Sequence, residues 1–265
     1  MSHRPRKRFG QNFLHDQAVI EHILACIDPR HGQRLVEIGP GQGALTGGLL
    51  RRAGELDAIE LDRDLIEPLQ SRFADLGKLR LHNADALRFD FRTLRIDDQR
   101  LRLVGNLPYN ISTPLLFHLI EQADAIEDMH FMLQKEVVAR MAASPGSRTY
   151  GRLSVMLQVS CEVSALFDIG PESFNPPPKV DSSFVRLVPL ATPLVEPTAM
   201  TSFSNVVGAA FAHRRKTLRN NLKGWLDAGQ ISALGIDPTA RAEALSIEEF
   251  KRLHSALQGN ATTMA

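Results

Sequence analysis

The stretch Leu101-Arg102-Leu103-Val104-Gly105-Asn106-Leu107-Pro108-Tyr109 decides how the rest of the chain is read. Its first five residues predict a buried strand. Ile111-Ser112-Thr113-Pro114 predict a helix start, with Thr113 as cap and proline at the first helical position. Asn106-Leu107-Pro108-Tyr109 therefore falls at the carboxyl end of a strand, where open α/β sheets bind ligands. Its chemistry suits an amino group on a planar ring. Asn106 offers a side-chain carbonyl that accepts from N–H. Pro108 stiffens a turn that aims the Leu107 carbonyl at the same amine, and Tyr109 presents a flat face for stacking. An ordinary strand-to-helix turn uses the same residue types, so the neighbouring sequence has to decide.

Outward from that turn, strands and helices alternate. Residues 35–38, 56–60, 79–82 and 129–133 predict four more strands. Between them lie amphipathic stretches with Leu45, Leu49 and Leu50, then Leu65, Ile66, Leu69 and Phe73, then Leu115, Leu116, Leu119 and Ile120. Asp16 is placed to cap an earlier helix carrying Val19, Ile20, Ile23, Leu24 and Ile27. Such alternation predicts an α/β fold, a parallel sheet with helices on both faces. Further on, residues 135–143 and 153–163 predict helices, separated by a loop at Ser144-Pro145-Gly146-Ser147. Phe174-Asn175-Pro176-Pro177-Pro178-Lys179 predicts a stiff extended segment, and 183–188 a strand. Pro189, Pro193 and Pro197 mark a linker, after which 203–211, 216–226 and 247–257 predict helices. Two domains are expected: 1–189, and a small all-α domain over 190–265.

Composition narrows the classes. Hydrophobic residues at 43% and charged residues at 23% fit a soluble globular protein, and no apolar run is long enough to span a bilayer. The N-terminus is basic without an apolar segment after it, so it is not a secretory signal. Cys26 and Cys161 match no metal or redox spacing, and the nine histidines are scattered. No metal is expected, no membrane partner, and a cytoplasmic location. The net charge of +1 is unevenly spread. Arg4, Arg6, Lys7 and Arg8 crowd the first ten residues. The stretch 197–226 lacks any acid but holds Arg214, Arg215, Lys216, Arg219 and Lys223. Two local basic patches on a near-neutral chain point to a directed polyanion contact.

Glu37-Ile38-Gly39-Pro40-Gly41-Gln42-Gly43 lies between the first alternating strand and its helix, where glycines let backbone approach a ligand. Glu60 ends the next strand, placed to bind two ribose hydroxyls. Through Ala44 the loop also fits the dinucleotide fingerprint Gly-x-Gly-x-x-Ala. Glycines and Glu60 alone leave a nicotinamide cofactor and S-adenosylmethionine both open. Asp85 after the third strand, positioned for an adenine amino group, and the Asn106 turn after the fourth shift the balance. Together they describe one crevice for an adenosyl sulfonium and an exocyclic amine, and hydride transfer has no use for such a turn.

With these motifs in hand, the chain resembles the S-adenosylmethionine-dependent rRNA adenine N6,N6-dimethyltransferase family, most closely its bacterial small-subunit (16S) KsgA/RsmA type. The likeness runs through Lys7–Leu14, Glu37–Thr46, Asn106–Tyr109, Phe174–Ser182 and Phe211–Leu222, in that order. It implies a Rossmann-like methyltransferase sheet and a helical RNA-binding C-terminal domain. It implies that Asn12 and Leu14 cover the cofactor, that Glu37, Gly39 and Gly41 approach its methionine part, and that Glu60 and Asp85 hold ribose and adenine. Asn106 then faces both cofactor and target, and Tyr109 and Phe174 sandwich the target base. The expected partner is small-subunit rRNA in a pre-30S particle, met by a monomer, with two methyl groups placed on N6 of each of two adjacent adenosines. Rival readings are a nicotinamide-dependent oxidoreductase, a methyltransferase for another amine, and an RNA-binding assembly or transcription factor without catalysis.

Overall fold

Asp16 opens the first helix as its carboxylate accepts from the Ala18 and Val19 amides at 2.9 and 3.2 Å. The computed structural model describes residues 12–263, with side chains through residue 258. The basic cluster Arg4, Arg6, Lys7 and Arg8, and the first residues of the Lys7–Leu14 motif, lie outside the described residues. Strand β1 is Phe13–Leu14, and helix α1 (Gln17–Ile27) buries Ile20, Ile23, Leu24 and Ile27. Then follow β2 (Arg34–Ile38), α2 (Thr46–Ala53), β3 (Glu55–Glu60), α3 (Ile66–Phe73), β4 (Lys78–Asn83), β5 (Leu101–Asn106), α4 (Ser112–Ile120) and β6 (Ile126–Gln134). After α5 (Lys135–Met141) and α6 (Arg152–Gln158) come β7 (Cys161–Ile169), β8 (Phe174–Asn175) and β9 (Ser182–Pro189).

Among the described residues, seven strands form one sheet in the order β4-β3-β2-β5-β6-β9-β7. Strands β2 to β6 are parallel to their neighbours, but β9 runs antiparallel to β6, pairing Phe131 with Val185. The sheet is therefore mixed where alternation predicted a parallel one. From β2 the chain builds outward to β3 and β4, and later the other way to β6. Right-handed crossovers in opposite directions put helices on opposite faces. The carboxyl ends of β2 and β5 are side by side where that order reverses, which is where such sheets hold ligands. Gly105 permits the close approach: a Cβ there would stand 2.5 Å from the Ile38 carbonyl oxygen. At the far end of β5, buried Arg102 grips Asp128 through two hydrogen bonds of 2.9 Å and caps the last turn of α1 by donating to the Ile27 carbonyl at 2.7 Å. A guanidinium at a helix carboxyl end also meets the negative pole of the helix dipole.

Further expectations change. Residues 161–163, expected within a helix over 153–163, belong to β7. Helix α6 stops at Gln158, the Val159 and Ser160 amides closing its last turn, and Cys161 already runs extended. Thr113 does not cap α4. The chain winds earlier, the Ile111 amide donating to the Pro108 carbonyl at 3.2 Å, so Pro114 sits third in the helix. The chain divides into one unit of residues up to Val138 with Ser164–Pro189, and a second of Ala139–Val163 with Leu190–Ala265. Residues 139–163, expected in the first domain, group with the helical unit that resumes at Leu190, where α6 packs on a helix of that unit.

That second unit holds α7 (Met200–Ala210), α8 (Leu218–Asn221), α9 (Ala228–Ala233) and α10 (Ile247–Thr263). Phe203, Val206, Val207 and Ala210 of α7 are buried, as are Phe250 and Leu253 of α10. Phe211 stacks on Phe250 with ring centroids 5.6 Å apart. The helix expected over 216–226 is only the short α8 followed by turns, because Gly224 takes a left-handed φ of 88°. Asp227 and Gln230 then start α9 with a capping box.

Candidate active site

A cavity of about 350 Å³ opens at the carboxyl ends of β2, β3 and β5. Asn12, Leu14, Glu37, Gly39, Gly41, Glu60, Asp85, Asn106, Leu107, Pro108 and Tyr109 all line it. The sheet order brings these residues, scattered over about a hundred positions, to one crevice.

The loop after β2 is shaped by its acids as much as by its glycines. Gly41 has a φ of 57° and donates its amide to Glu60 Oε2 at 3.1 Å. A Cβ on Gly41 would also meet the Phe13 ring at 3.0 Å, so glycine is required twice over. Glu60 Oε1 accepts from the Asp62 amide at 2.8 Å. Burial raises the Glu60 carboxyl above its ordinary range, against these two amides, which lower it, while the Asp62 charge raises it further. Glu37 is 2% exposed and accepts from Thr46 Oγ1 at 2.6 Å. Burial first, and Glu60 after it, push its carboxyl up to about 7 although the Thr46 hydrogen bond lowers it. Among the described residues no lysine, arginine or histidine pairs with either acid. Two desolvated carboxylates without a cation suit a ligand that carries positive charge and vicinal hydroxyls. Asp85 Oδ1 accepts from the Leu87 amide at 3.0 Å, which fixes its carboxylate in the cavity lining.

At the tip of β5, the Asn106 side chain lies 2.9 Å from the Asn12 carbonyl oxygen. That oxygen only accepts, so the atom facing it is Nδ2 and the amide orientation is fixed. Asn106 Oδ1 is consequently turned away from Asn12 and has no donor among the described residues. The Leu107 amide is held by the Met132 carbonyl at 3.2 Å, and no described group donates to the Leu107 carbonyl. Tyr109 is half-buried, its hydroxyl 2.7 Å from Ser182 Oγ, and burial raises its phenol. Ser112 Oγ donates to the Tyr109 carbonyl at 3.1 Å, closing the turn. The residues that carry two lone carbonyl acceptors and a fixed ring thus line the same cavity as two buried acids.

The comparisons fit this geometry. Residues 2–258 match the family model described as ribosomal RNA adenine dimethylase. The chain is 57% identical over 251 residues to the ribosomal RNA small subunit methyltransferase A of Marinomonas sp., covering 95% of this chain and 94% of the relative. The protein of that name from Pseudomonas aeruginosa is also 57% identical, over 96% of this chain and 95% of its own. Among solved structures, a dimethyladenosine transferase from Plasmodium falciparum superposes with a TM-score of 0.81 at 25% identity, over 94% of this chain and 98% of its own. The 23S rRNA methyltransferase ErmE gives 0.73 at 26%, over 93% and 100%.

This chain belongs to the ribosomal RNA adenine dimethylase family. It is a methyltransferase, with the Rossmann-like fold of that family and its helical C-terminal part.

Within this dimethylase, Phe174 departs from the reading as a second stacking face. It is 2% exposed, pairs with Leu14 in the β1–β8 ladder and packs in the core with Leu14 and Phe184, so it does not line the cavity. Its backbone partner explains this, since the antiparallel ladder turns the ring inward beside Leu14. The basic residues lie in the other unit. Arg214, Arg215, Lys216, Arg219 and Lys223 are all exposed. Arg214 is the exception in its pairing: it donates to Glu243 at 3.1 Å and to the Arg148 carbonyl. Sequence reading missed Thr46 and Ser182, the two hydroxyls that hold Glu37 and Tyr109. Both lie inside motifs quoted for the resemblance, but a serine or threonine in a motif has no distinct signal until its partner is placed.

Proposed function

We propose that this protein uses S-adenosylmethionine to dimethylate N6 of two adjacent adenosines near the 3′ end of small-subunit (16S) rRNA, as a step in building the small ribosomal subunit. The observation that carries the reading is the fixed Asn106 amide, with its free carbonyl beside an acid-lined cavity. When bound, S-adenosylmethionine supplies a methyl group on a positively charged sulfur. Gly39 and Gly41 would admit its methionine part, with Glu37 near the cationic groups, and Asn12 and Leu14 would cover it. Glu60, released from the Gly41 amide, would take the ribose hydroxyls, and Asp85 the adenine amino group.

Adenine N6 is a weak nucleophile because its lone pair is shared with the ring. In the first transfer Asn106 Oδ1 and the Leu107 carbonyl each accept one N6 hydrogen, draw those hydrogens out of the ring plane and free the lone pair; in the second, only one N6 hydrogen remains for them to accept. Positive charge grows on N6 during transfer, and two carbonyl dipoles already aimed there stabilise it. Positioning of nitrogen against the methyl supplies much of the remaining acceleration. No strong base is needed, because the methylated, protonated amine gives its proton to water. Tyr109 stacks on the base, which has to leave any duplex to reach it. Phe174 supports this site from the core, through Leu14. Arg214, Arg215, Lys216, Arg219 and Lys223 contact the rRNA backbone. The same reading takes a monomer in the cytoplasm meeting its rRNA in a pre-30S particle.

Labelled donor, the protein and unmethylated small subunits, followed by mapping of the modified positions, test this reading. N6,N6-dimethyladenosine at two adjacent positions near the 3′ end is expected. Label at other nucleotides, or on protein only, would contradict it.

A further inference from the structure

The chain has one tryptophan, and it is in the open: Trp225 is 44% exposed. A large aromatic ring left in water forgoes the gain of burial, and the site around it is not a loose loop. Leu218, Leu222 and Leu226, spaced four apart, are buried, and the Trp225 and Leu226 amides both donate to the Leu222 carbonyl, at 2.8 and 3.0 Å. That anchoring keeps Arg219 and Lys223, also four apart, on the outside of the same turn. Arg219, Lys223, Trp225, Asn220 and Gln230 line a solvent-open groove of about 480 Å³. Among the described residues neither Arg219 nor Lys223 is ion-paired, in contrast to Arg214 on Glu243. The acid of the groove, Asp227, is spent on the Gln230 amide at 2.8 Å as the cap of α9.

A flat aromatic surface flanked by two free cations and the Asn220 amide is the set of groups that takes an unpaired nucleotide; the Gln230 side chain is held in the α9 capping box, its Oε1 accepting from the Asp227 amide at 2.9 Å. The ring stacks on any base, the cations meet the phosphates on either side, and the Asn220 amide reaches a base edge. A duplex offers phosphates but no base face. We infer that the groove of Trp225, Arg219 and Lys223 is a binding site for an unpaired nucleotide of the ribosomal RNA, apart from the base that is methylated. This rests on the reading that the exposed cations of the helical unit contact RNA, and it assigns them two roles. Arg219 and Lys223 serve a stacked, single-stranded segment, while Arg215 and Lys216 serve backbone alone.

The sole tryptophan makes the test direct. In the full-length protein, titration with a single-stranded oligoribonucleotide is followed by tryptophan emission and, in parallel, by anisotropy of a labelled oligonucleotide. Stacking predicts quenching that saturates with the anisotropy curve, and no comparable quenching from a duplex RNA of equal length that still binds. Trp225→Ala is expected to weaken single-strand binding about tenfold and duplex binding little, while Trp225→Phe retains most of it. Unchanged emission at saturation, or single-strand affinity unaffected by Trp225→Ala, overturns the proposal, including in favour of a protein partner for this groove. The underlying RNA reading fails differently. If Arg215→Gln with Lys216→Gln, and Arg219→Gln with Lys223→Gln, all leave affinity and its salt dependence unchanged, the cations do not contact RNA at all.

Discussion

The two units of this protein hold opposite kinds of site. In the α/β unit, the proposed site is a crevice whose acids, Glu37 and Glu60, are almost fully buried and pushed upward by desolvation. In the helical unit, Arg214, Arg215, Lys216, Arg219 and Lys223 are exposed. The first site is built to make a few polar contacts strong by excluding water. The second, as proposed, meets a large polyanion through many contacts that salt can screen. The contrast separates chemistry from recognition, and each side of it breaks under a different substitution.

The largest effect is expected at the strand tip. Asn106→Ala removes one of two dipoles aimed at the charge developing on N6, and about 10²- to 10³-fold of turnover should be lost. Donor binding, measured by calorimetry, should fall far less, because the acids and glycines remain and only the hold of Asn106 on the Asn12 carbonyl is lost. A variant that methylates normally would place the chemistry elsewhere. Next is the opposite unit. Neutralising Arg215, Lys216, Arg219 and Lys223 together should lower the slope of log affinity against log salt by about 3 for single-stranded RNA, at about 0.7 per phosphate contact, with donor affinity unchanged. Equal losses in both affinities would erase the distinction between the units.

The buried acids give a pH signature that the exposed cations lack. The Glu37 carboxyl titrates at about 7 in the folded protein against an ordinary 4.5. Between those values the folded chain holds a proton that the unfolded chain has released, so stability of the ligand-free protein falls as pH rises through this window. Binding of a cationic donor runs the other way, since Glu37 must give up that proton. Affinity should rise about tenfold per pH unit up to 7 and level off above it. Glu37→Gln should flatten the profile, and a wild-type profile already flat from pH 5 to 8 would refute the assignment. The smallest effect concerns Ser182. Because among the described residues its hydroxyl is bonded to the Tyr109 hydroxyl alone, at 2.7 Å, Ser182→Ala and Tyr109→Phe should each raise KM for RNA a few-fold, at about 1 kcal/mol for the shared hydrogen bond. The double variant should be no worse than either alone. Additive losses would mean that Ser182 does not act through Tyr109.

The same contrast explains what the sequence made legible. Strands β2, β3, β5 and β6 are buried by their neighbours, the edge strand β4 was readable from Leu79 and Leu81 in alternation, and the cavity-lining residues at the carboxyl ends were readable because chain order and sheet order determine where those ends meet. Asp16 was readable as a cap because the apolar face of α1 begins just after it. Strand β7 was not, since it lies at the sheet edge. Its residues Glu162, Ser164, Ala165, Leu166 and Asp168 are exposed, and no alternation marks it. The break after α8 carried signals that apolar spacing overrode: Gly224, then Asp227 and Gln230 three apart. Phe174 shows the limit for site residues. Its motif fixed that it matters, but only the β1–β8 pairing decides that the ring points into the core.

The most direct test of the account is a crystal structure with S-adenosylmethionine or its demethylated product and adenosine bound in the cavity. N6 is expected within hydrogen-bonding distance of both Asn106 Oδ1 and the Leu107 carbonyl, with the sulfur on the Glu37 side and in line with the nitrogen. A sulfur facing away from Asn106, or an adenosine whose amino group meets neither carbonyl, would contradict it.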